Sequence, residues 1–217
     1  MSFEELTDKR VWRKAMLHLK RNDKVLSRLI KRIGYIDVRD HVPGPYASLM
    51  QAFIYQQISG KAADAIIKKF RKLYGGKIPT PKQFLSTSEK KVRAAGISPQ
   101  KYSYMKDLCE RIENKQLDLD GLKKLPNEEI IAVLDEVKGI GRWTAEMFLM
   151  FNLRRVDVFA MDDLGLQNAI KGAYKLRQRP SKAFMEKISK NWVPYRSIAA
   201  LYLWRSHDDE ASKSQNE

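Results

Sequence analysis

An all-α fold of roughly ten helices is predicted from two features of the 217-residue sequence. Apolar residues recur at spacings of three and four rather than two, and cap-forming residues punctuate the chain at helix-length intervals. No stretch reads confidently as a strand. Trp12, Ala15, Met16 and Leu19 share one face of a first helix, and Asn22 or Asp23 can cap a second, in which Val25, Leu26, Leu29, Ile30 and Ile33 repeat before Gly34. After the loop from His41 to Pro45, a third helix is predicted over about 46–58, with Ser59 as N-cap of a fourth over 60–74 that Gly75-Gly76 ends. Thr80-Pro81 and Ser98-Pro99 read as cap-plus-N1 pairs, opening a short helical segment and a longer helix reaching about residue 114. The next helix begins near Pro126, with Glu128 and Glu129 in its first turn and Ile130, Val133, Leu134 and Val137 on its apolar face. Further helices are predicted over about 142–151, 164–174, 182–190 and 195–204, and the polar stretch after Ser206 reads as a disordered tail.

Composition narrows the function classes. There are 41 Lys plus Arg against 26 Asp plus Glu, a net charge of +15, with three His and one Cys. A single cysteine, Cys109, cannot form an internal disulfide, a four-Cys zinc site or a four-Cys iron–sulfur cluster, and it reads as a small core residue. His18, His41 and His207 have no ligand spacing, so no metal site is expected from them. No apolar run is long enough to span a membrane and the N-terminus lacks a secretory h-region, which together predict a soluble intracellular protein. The last twelve residues carry net −3, leaving +18 on residues 1–205. That excess attracts polyanions by counterion release, and nucleic acid is the commonest such partner inside a cell; a generic basic surface is the alternative.

The informative stretch is Lys138-Gly139-Ile140-Gly141 between two amphipathic helices. Two glycines around one apolar residue permit a very tight turn, whose unpaired N–H groups at a helix N-terminus suit a phosphate. An ordinary αα-hairpin with a glycine C-cap is the competing reading of the turn by itself.

The flanking pattern is longer. Leu134-x-x-Val137-Lys-Gly-Ile-Gly-Arg-Trp-Thr-Ala145, followed by Asp157-Val-Phe-Ala-Met-Asp-Asp163, resembles the helix-hairpin-helix DNA glycosylase superfamily, most closely its 3-methyladenine DNA glycosylase II group. The resemblance extends from about Tyr46 through Gln56-Gln-Ile-Ser-Gly-Lys-Ala-Ala63 to Pro194-Tyr-Arg-Ser197 and Leu203-Trp204. It implies a two-lobed helical fold with its active-site cleft between lobes, here about 46–155 and 1–45 plus 156–205. Too few residues precede Tyr46 to match the N-terminal β-rich domain of some bacterial members. The implied activity is removal of alkylated purines such as 3-methyladenine, flipped from double-stranded DNA.

By position, Asp163 matches the family's catalytic aspartate, 20 residues beyond Trp143. N-glycosidic cleavage develops positive charge on the sugar, which a fixed carboxylate can stabilise while orienting or deprotonating water. Alkylated purines are already cationic leaving groups, so one carboxylate suffices. A helix N-cap is the competing role for the pair, and the sequence reading gives the cap to Asp162 and catalysis to Asp163. Trp143 stands where strand-cutting relatives carry a Schiff-base lysine, and the C-terminal region lacks the four cysteines of the iron–sulfur branch. The resemblance therefore implies a monofunctional enzyme without lyase activity.

Trp143 and Trp204 match base-stacking tryptophans, whose faces favour a cationic purine by about 0.5–2 kcal/mol. Met147 replaces a tyrosine of the bacterial relative, and Tyr55, Phe159 and Tyr195 are weaker pocket candidates that core packing also explains. Gln57 aligns with the residue inserted in place of the flipped nucleotide, with a surface helix-end residue as the alternative. Ser59, Gly60 and Lys61, and at the hairpin Lys138, Gly139, Gly141 and Thr144, are candidate contacts to the DNA backbone, with Lys68, Lys69 and Arg71 adding diffuse charge. The family's hairpin often holds a monovalent cation on main-chain carbonyls, which map to Asp135, Val137 and Ile140. No other cofactor is implied, and the protein is expected to act as a monomer associated with DNA in a nucleoid or nucleus. Two alternatives stay open: a non-catalytic damaged-DNA-binding protein that keeps the hairpin and wedge, and an oxidised-base glycosylase/lyase, which the absent lysine disfavours.

Overall fold

The structure, a computed structural model, describes residues 5–38 and 42–214. His41 and the last three residues of the expected tail lie outside the described residues. Among the described residues the chain forms twelve α-helices and a single isolated bridge pair, Glu5 with Arg155. The helices are α1 (Lys9–Asn22), α2 (Lys24–Ile33), α3 (Pro45–Tyr55), α4 (Gly60–Lys72), α5 (Pro81–Leu85), α6 (Glu89–Ala94) and α7 (Pro99–Glu113). They continue with α8 (Asn127–Asp135), α9 (Arg142–Met147), α10 (Leu164–Ala173), α11 (Lys182–Ser189) and α12 (Arg196–Ser214).

Local cap chemistry sets most of these limits. Ser59 Oγ accepts from Ala62 N–H, Ser98 Oγ from Lys101 N–H, and Thr80 with Gln83 forms a reciprocal capping box. Several limits differ from the sequence reading. α3 starts at Pro45 and stops at Tyr55, because Gln56 leaves the helical region and Gln57 turns left-handed. The short segment after Thr80 is two helices, α5 and α6. The tail expected from Ser206 is helical as far as Ser214, and an Arg205–Asp209 pair at 3.3 Å, one turn apart, supports it.

The chain divides into two compact units, one of Val42–Phe148 and one of Met1–His41 with Leu149–Glu217. In the discontinuous unit, α12 packs against α10, α2 and α1 around fully buried Trp12, Trp192 and Tyr202. Asp23 is the polar centre of that packing. It caps α2 through Val25 and Leu26 N–H, and its other oxygen accepts from Trp192 Nε1 at 2.9 Å and from the Tyr174 hydroxyl. Removing it would strand buried donors at about 1–3 kcal/mol each. In the continuous unit, α3 packs on α4 and α7, α5 and α6 on α7, and α8 on α9 around Phe53, Phe70 and Phe84. Cys109 is buried there beside the Tyr46 hydroxyl at 3.3 Å. No helix among the described residues is long and apolar enough to cross a membrane.

Candidate functional site

The hairpin of the continuous unit is built by α8, the turn through Gly141, and α9. Val137 N–H bonds Leu134 O and Ile140 N–H bonds Val137 O, each at 3.0 Å, which folds the turn back on itself. Gly139 sits at φ +81, and a Cβ there would lie 2.2–2.6 Å from carbons of the Tyr104 ring. Only glycine fits. Gly141 is exposed, with φ −102 and open space where a side chain would project.

The residues proposed at the hairpin separate by environment. Lys138 gives its main-chain N–H to Asp107 Oδ2 at 3.0 Å, so that amide is committed within the protein. Thr144 is buried. Gly141, Arg142 and Trp143 are exposed at the start of α9, whose first intrahelical bond runs from Ala145 N–H to Gly141 O. N–H groups of that first turn project from the positive end of the helix. Arg142 makes a two-pronged bond to Glu128 at 2.8 and 3.0 Å and a third to Glu146 at 3.1 Å. These carboxylates, Glu128 foremost, raise its pKa, and they offset much of its charge toward a polyanion.

The α3–α4 junction carries the second candidate group. Gln57 is exposed and adopts φ +58, a conformation rare for a residue that cannot bond its own backbone as Asn and Asp do. Ser59, Gly60 and Lys61 follow, all exposed, at the N-terminus of α4. Tyr55 is exposed, but its hydroxyl donates to Asp64 Oδ1 at 2.5 Å, a bond that raises the phenol pKa. Lys101, held below the ordinary lysine range by burial, donates from Nζ to Ile54 O at 2.8 Å and caps the end of α3. Trp143, 44% exposed, and half-buried Met147 also belong to this unit.

Asp163 and Trp204 lie in the discontinuous unit. The loop that carries Asp163 is fastened at its start to α12: Arg196 makes a two-pronged pair with Asp157 at 2.7 and 2.9 Å, and Ser197 Oγ accepts from Val158 N–H at 2.9 Å. At its end Asp163, not Asp162, caps α10, taking Leu166 N–H on Oδ1 at 2.5 Å. This corrects the division of labour expected from sequence. Asp162 is exposed, whereas Asp163 is half-buried and also accepts from Trp204 Nε1 at 3.0 Å.

A residue not singled out on sequence, Phe151, stacks on Trp204 with ring centroids 6.1 Å apart and remains 40% exposed. It sits in a π-helical turn, Phe148–Asn152, where regular α-helix was expected. Phe159 and Tyr195 are buried, against Trp192 and His18 respectively, and are core residues rather than pocket.

Carbonyls at a helix end and a glycine turn are the hard, neutral donors a monovalent cation takes. Val137 O already accepts Ile140 N–H, but a carbonyl has two lone pairs, so Asp135, Val137 and Ile140 are compatible with such an ion. Among the described residues no group of three or more His, Cys, Asp or Glu is placed to hold a metal.

Comparison with known proteins gives consistent matches. Residues 50–195 match the family described as HhH-GPD superfamily base excision DNA repair protein. The chain is 36% identical to DNA-3-methyladenine glycosylase 1 of Schizosaccharomyces pombe, over 89% of this chain and 86% of that protein. It is similar to the crystal structure of a DNA-3-methyladenine glycosidase from Bacillus halodurans, with TM-score 0.83, 34% identity and coverage of 98% and 95% of the two chains. A Schizosaccharomyces pombe 3-methyladenine DNA glycosylase, solved in complex with abasic DNA, matches with TM-score 0.76, 35% identity and coverage of 90% and 97%.

Proposed function

The chain belongs to the HhH-GPD superfamily of base excision DNA repair proteins, and from that premise we propose that it is a DNA glycosylase hydrolysing the N-glycosidic bond of alkylated purines such as 3-methyladenine in duplex DNA. The observation that carries the reading is Asp163, a half-buried carboxylate fixed by Leu166 N–H and Trp204 Nε1 in a chain of net charge +15. A carboxylate opposes binding to a polyanion, and the chemistry supplies its use.

The C1′–N bond breaks with its electron pair leaving on the cationic purine, which departs neutral. Positive charge develops on the sugar, where the Asp163 carboxylate stabilises it. Water then bonds C1′ and its proton passes to the carboxylate or to solvent, leaving an abasic site and an intact strand. With Trp143 where lyases carry lysine, no amine is supplied there for strand cleavage.

The Trp204–Phe151 pair and, separately, Trp143 offer aromatic faces to a flipped base. Gln57 is the inserted residue; the exposed amides around Gly141 and the Ser59–Lys61 segment meet backbone phosphate. Carbonyls of Asp135, Val137 and Ile140 would hold a monovalent cation, which adds positive charge beside the phosphate. The substrate places the protein with DNA, in a nucleoid or nucleus, and a single chain carries every residue invoked.

Release of 3-methyladenine from methylated duplex tests the reading. Wild type should liberate free base without strand breaks, and Asp163→Asn should bind abasic DNA while losing release by at least about a hundredfold. Base release by Asp163→Asn at the wild-type rate would sink the assignment.

A further inference from the structure

Two turns of the continuous unit meet through one side chain. Half-buried Gln56, at the end of α3, donates from Nε2 to the Gly139 carbonyl at 2.8 Å. Gly139 lies at φ +81 with the Tyr104 ring packed where a Cβ would stand, and in that conformation its carbonyl faces the Gln56 amide. Tyr104 is itself held: Gln100 Nε2 donates to its hydroxyl at 2.6 Å, and its ring lies against Phe53 of α3 with centroids 5.8 Å apart.

The residue after Gln56 is Gln57, left-handed at φ +58. A non-glycine residue stays in that region when its surroundings over-determine it. Three bonds hold the residues that lead into it: Lys101 Nζ to Ile54 O, Tyr55 hydroxyl to Asp64, and Gln56 to Gly139. The first two tie the junction to α7 and α4. The third ties it to the hairpin turn, two residues before Gly141 opens α9.

We propose that Gln56 is a positioning residue that couples the hairpin's hold on the DNA backbone to insertion of Gln57, so that phosphate engagement at one turn sets the wedge at the other. The coupling rests on the glycosylase reading above. A carbonyl can be satisfied here by a donor alone, which makes the amide specific: leucine fills the space without the bond, and an ionised glutamate sets negative charge against the carbonyl oxygen.

The test uses the full chain and a duplex with a tetrahydrofuran abasic analogue beside 2-aminopurine, whose fluorescence rises when the stack is opened. Loss of one hydrogen bond predicts an amplitude at saturation reduced about fivefold in Gln56→Leu and Gln56→Glu at about pH 7.5. Affinity for undamaged duplex, and its salt dependence, should change less than about twofold, because the phosphate contacts are untouched. Facing a carbonyl oxygen in a half-buried position raises the glutamate pKa above its ordinary value of about 4.3, so lowering the pH from about 7.5 toward 5 should progressively restore amplitude in the glutamate variant as the carboxyl becomes a donor, and should restore none in the leucine variant.

Full amplitude in both Gln56 variants, with Gln57→Ala dark, overturns the coupling. Loss of undamaged-DNA binding in step with amplitude, with no recovery at low pH, also overturns it, since the role is then merely structural. Full amplitude in Gln57→Ala overturns instead the placement of Gln57 as the wedge. Wild-type base release, measured separately, judges the glycosylase reading on its own.

Discussion

Trp204 donates its indole N–H across 3.0 Å to Oδ1 of Asp163, a residue 41 positions earlier in the chain. Gly165 lies beside this contact: a Cβ there would stand 3.2 Å from that oxygen, a tight approach, and 3.5 Å from the indole nitrogen, an ordinary one. The same oxygen takes the Leu166 N–H, so Asp163 is both the cap of α10 and the end point of a contact from α12. Its orientation is thus set by two elements at once.

Replacing Trp204 by Phe removes the donor while keeping an aromatic ring against Phe151. A hydrogen bond to a charged group is worth about 1.5–3 kcal/mol, so single-turnover base release should fall by roughly tenfold or more. Trp204→Ala should fall further, because the stacked face is lost as well. Equal rates for Trp204→Phe and wild type would show that the indole bond does not position the carboxylate.

Capping and chemistry at Asp163 can be separated, because Asn caps a helix about as well as Asp does. Asp163→Asn should therefore keep its melting temperature within about 2 °C while base release collapses. Asp163→Ala should lose both, with the missing cap costing about 1 kcal/mol, or roughly 2–4 °C. Asp162→Ala, at an exposed position outside the cap, should leave melting and release near wild type. A destabilised Asp162→Ala with an unaffected Asp163→Ala would reverse the assignment.

The two hairpin glycines should respond oppositely to alanine. At Gly139 the added Cβ strikes the Tyr104 ring and must adopt positive φ, at about 2–5 kcal/mol combined. At Gly141 it meets open space at φ −102, so folding should be unchanged. If phosphate approaches Gly141, DNA affinity of Gly141→Ala should still fall by about tenfold at constant salt. Denaturant unfolding with fluorescence anisotropy reads both, and unchanged DNA affinity would remove Gly141 from the interface.

Features that depend on a few neighbouring residues were legible before folding. Thr80, Ser59 and Ser98 cap the helices they were expected to cap, because an N-cap bond closes within three residues. The choice between Asp162 and Asp163 was not local: either side chain could reach the helix, and Trp204 helps decide it from the far end of the chain. Phe151 escaped for a related reason. A helical period continued through 148–152 gives no sign of the π turn, which adds a residue and redirects the side chains after it. Gln56, Lys101 and Asp107 act across separations of 83, 47 and 31 residues, on main-chain atoms that carry no sequence signature. The polar end of α12 misled by composition, which reports solvent exposure rather than the absence of a helix.

Burial pushes the Cys109 thiol up to about 12 from 9.0, and the Tyr46 phenol beside it rises for the same cause. The neutral thiol is the form the fold accepts, so the native state keeps a proton that the unfolded chain releases. Stability from this group is complete below about pH 9, falls as pH rises from there, and is lost by about pH 12. Urea midpoints should accordingly decline between about pH 9 and 10.5, and Cys109→Ala should flatten part of that decline despite its cavity. The thiolate is the reactive species, so native protein at about pH 8 should react with a thiol reagent far more slowly than urea-unfolded protein. A native rate equal to the unfolded one would mean that Cys109 is not held neutral within the α3–α7 packing.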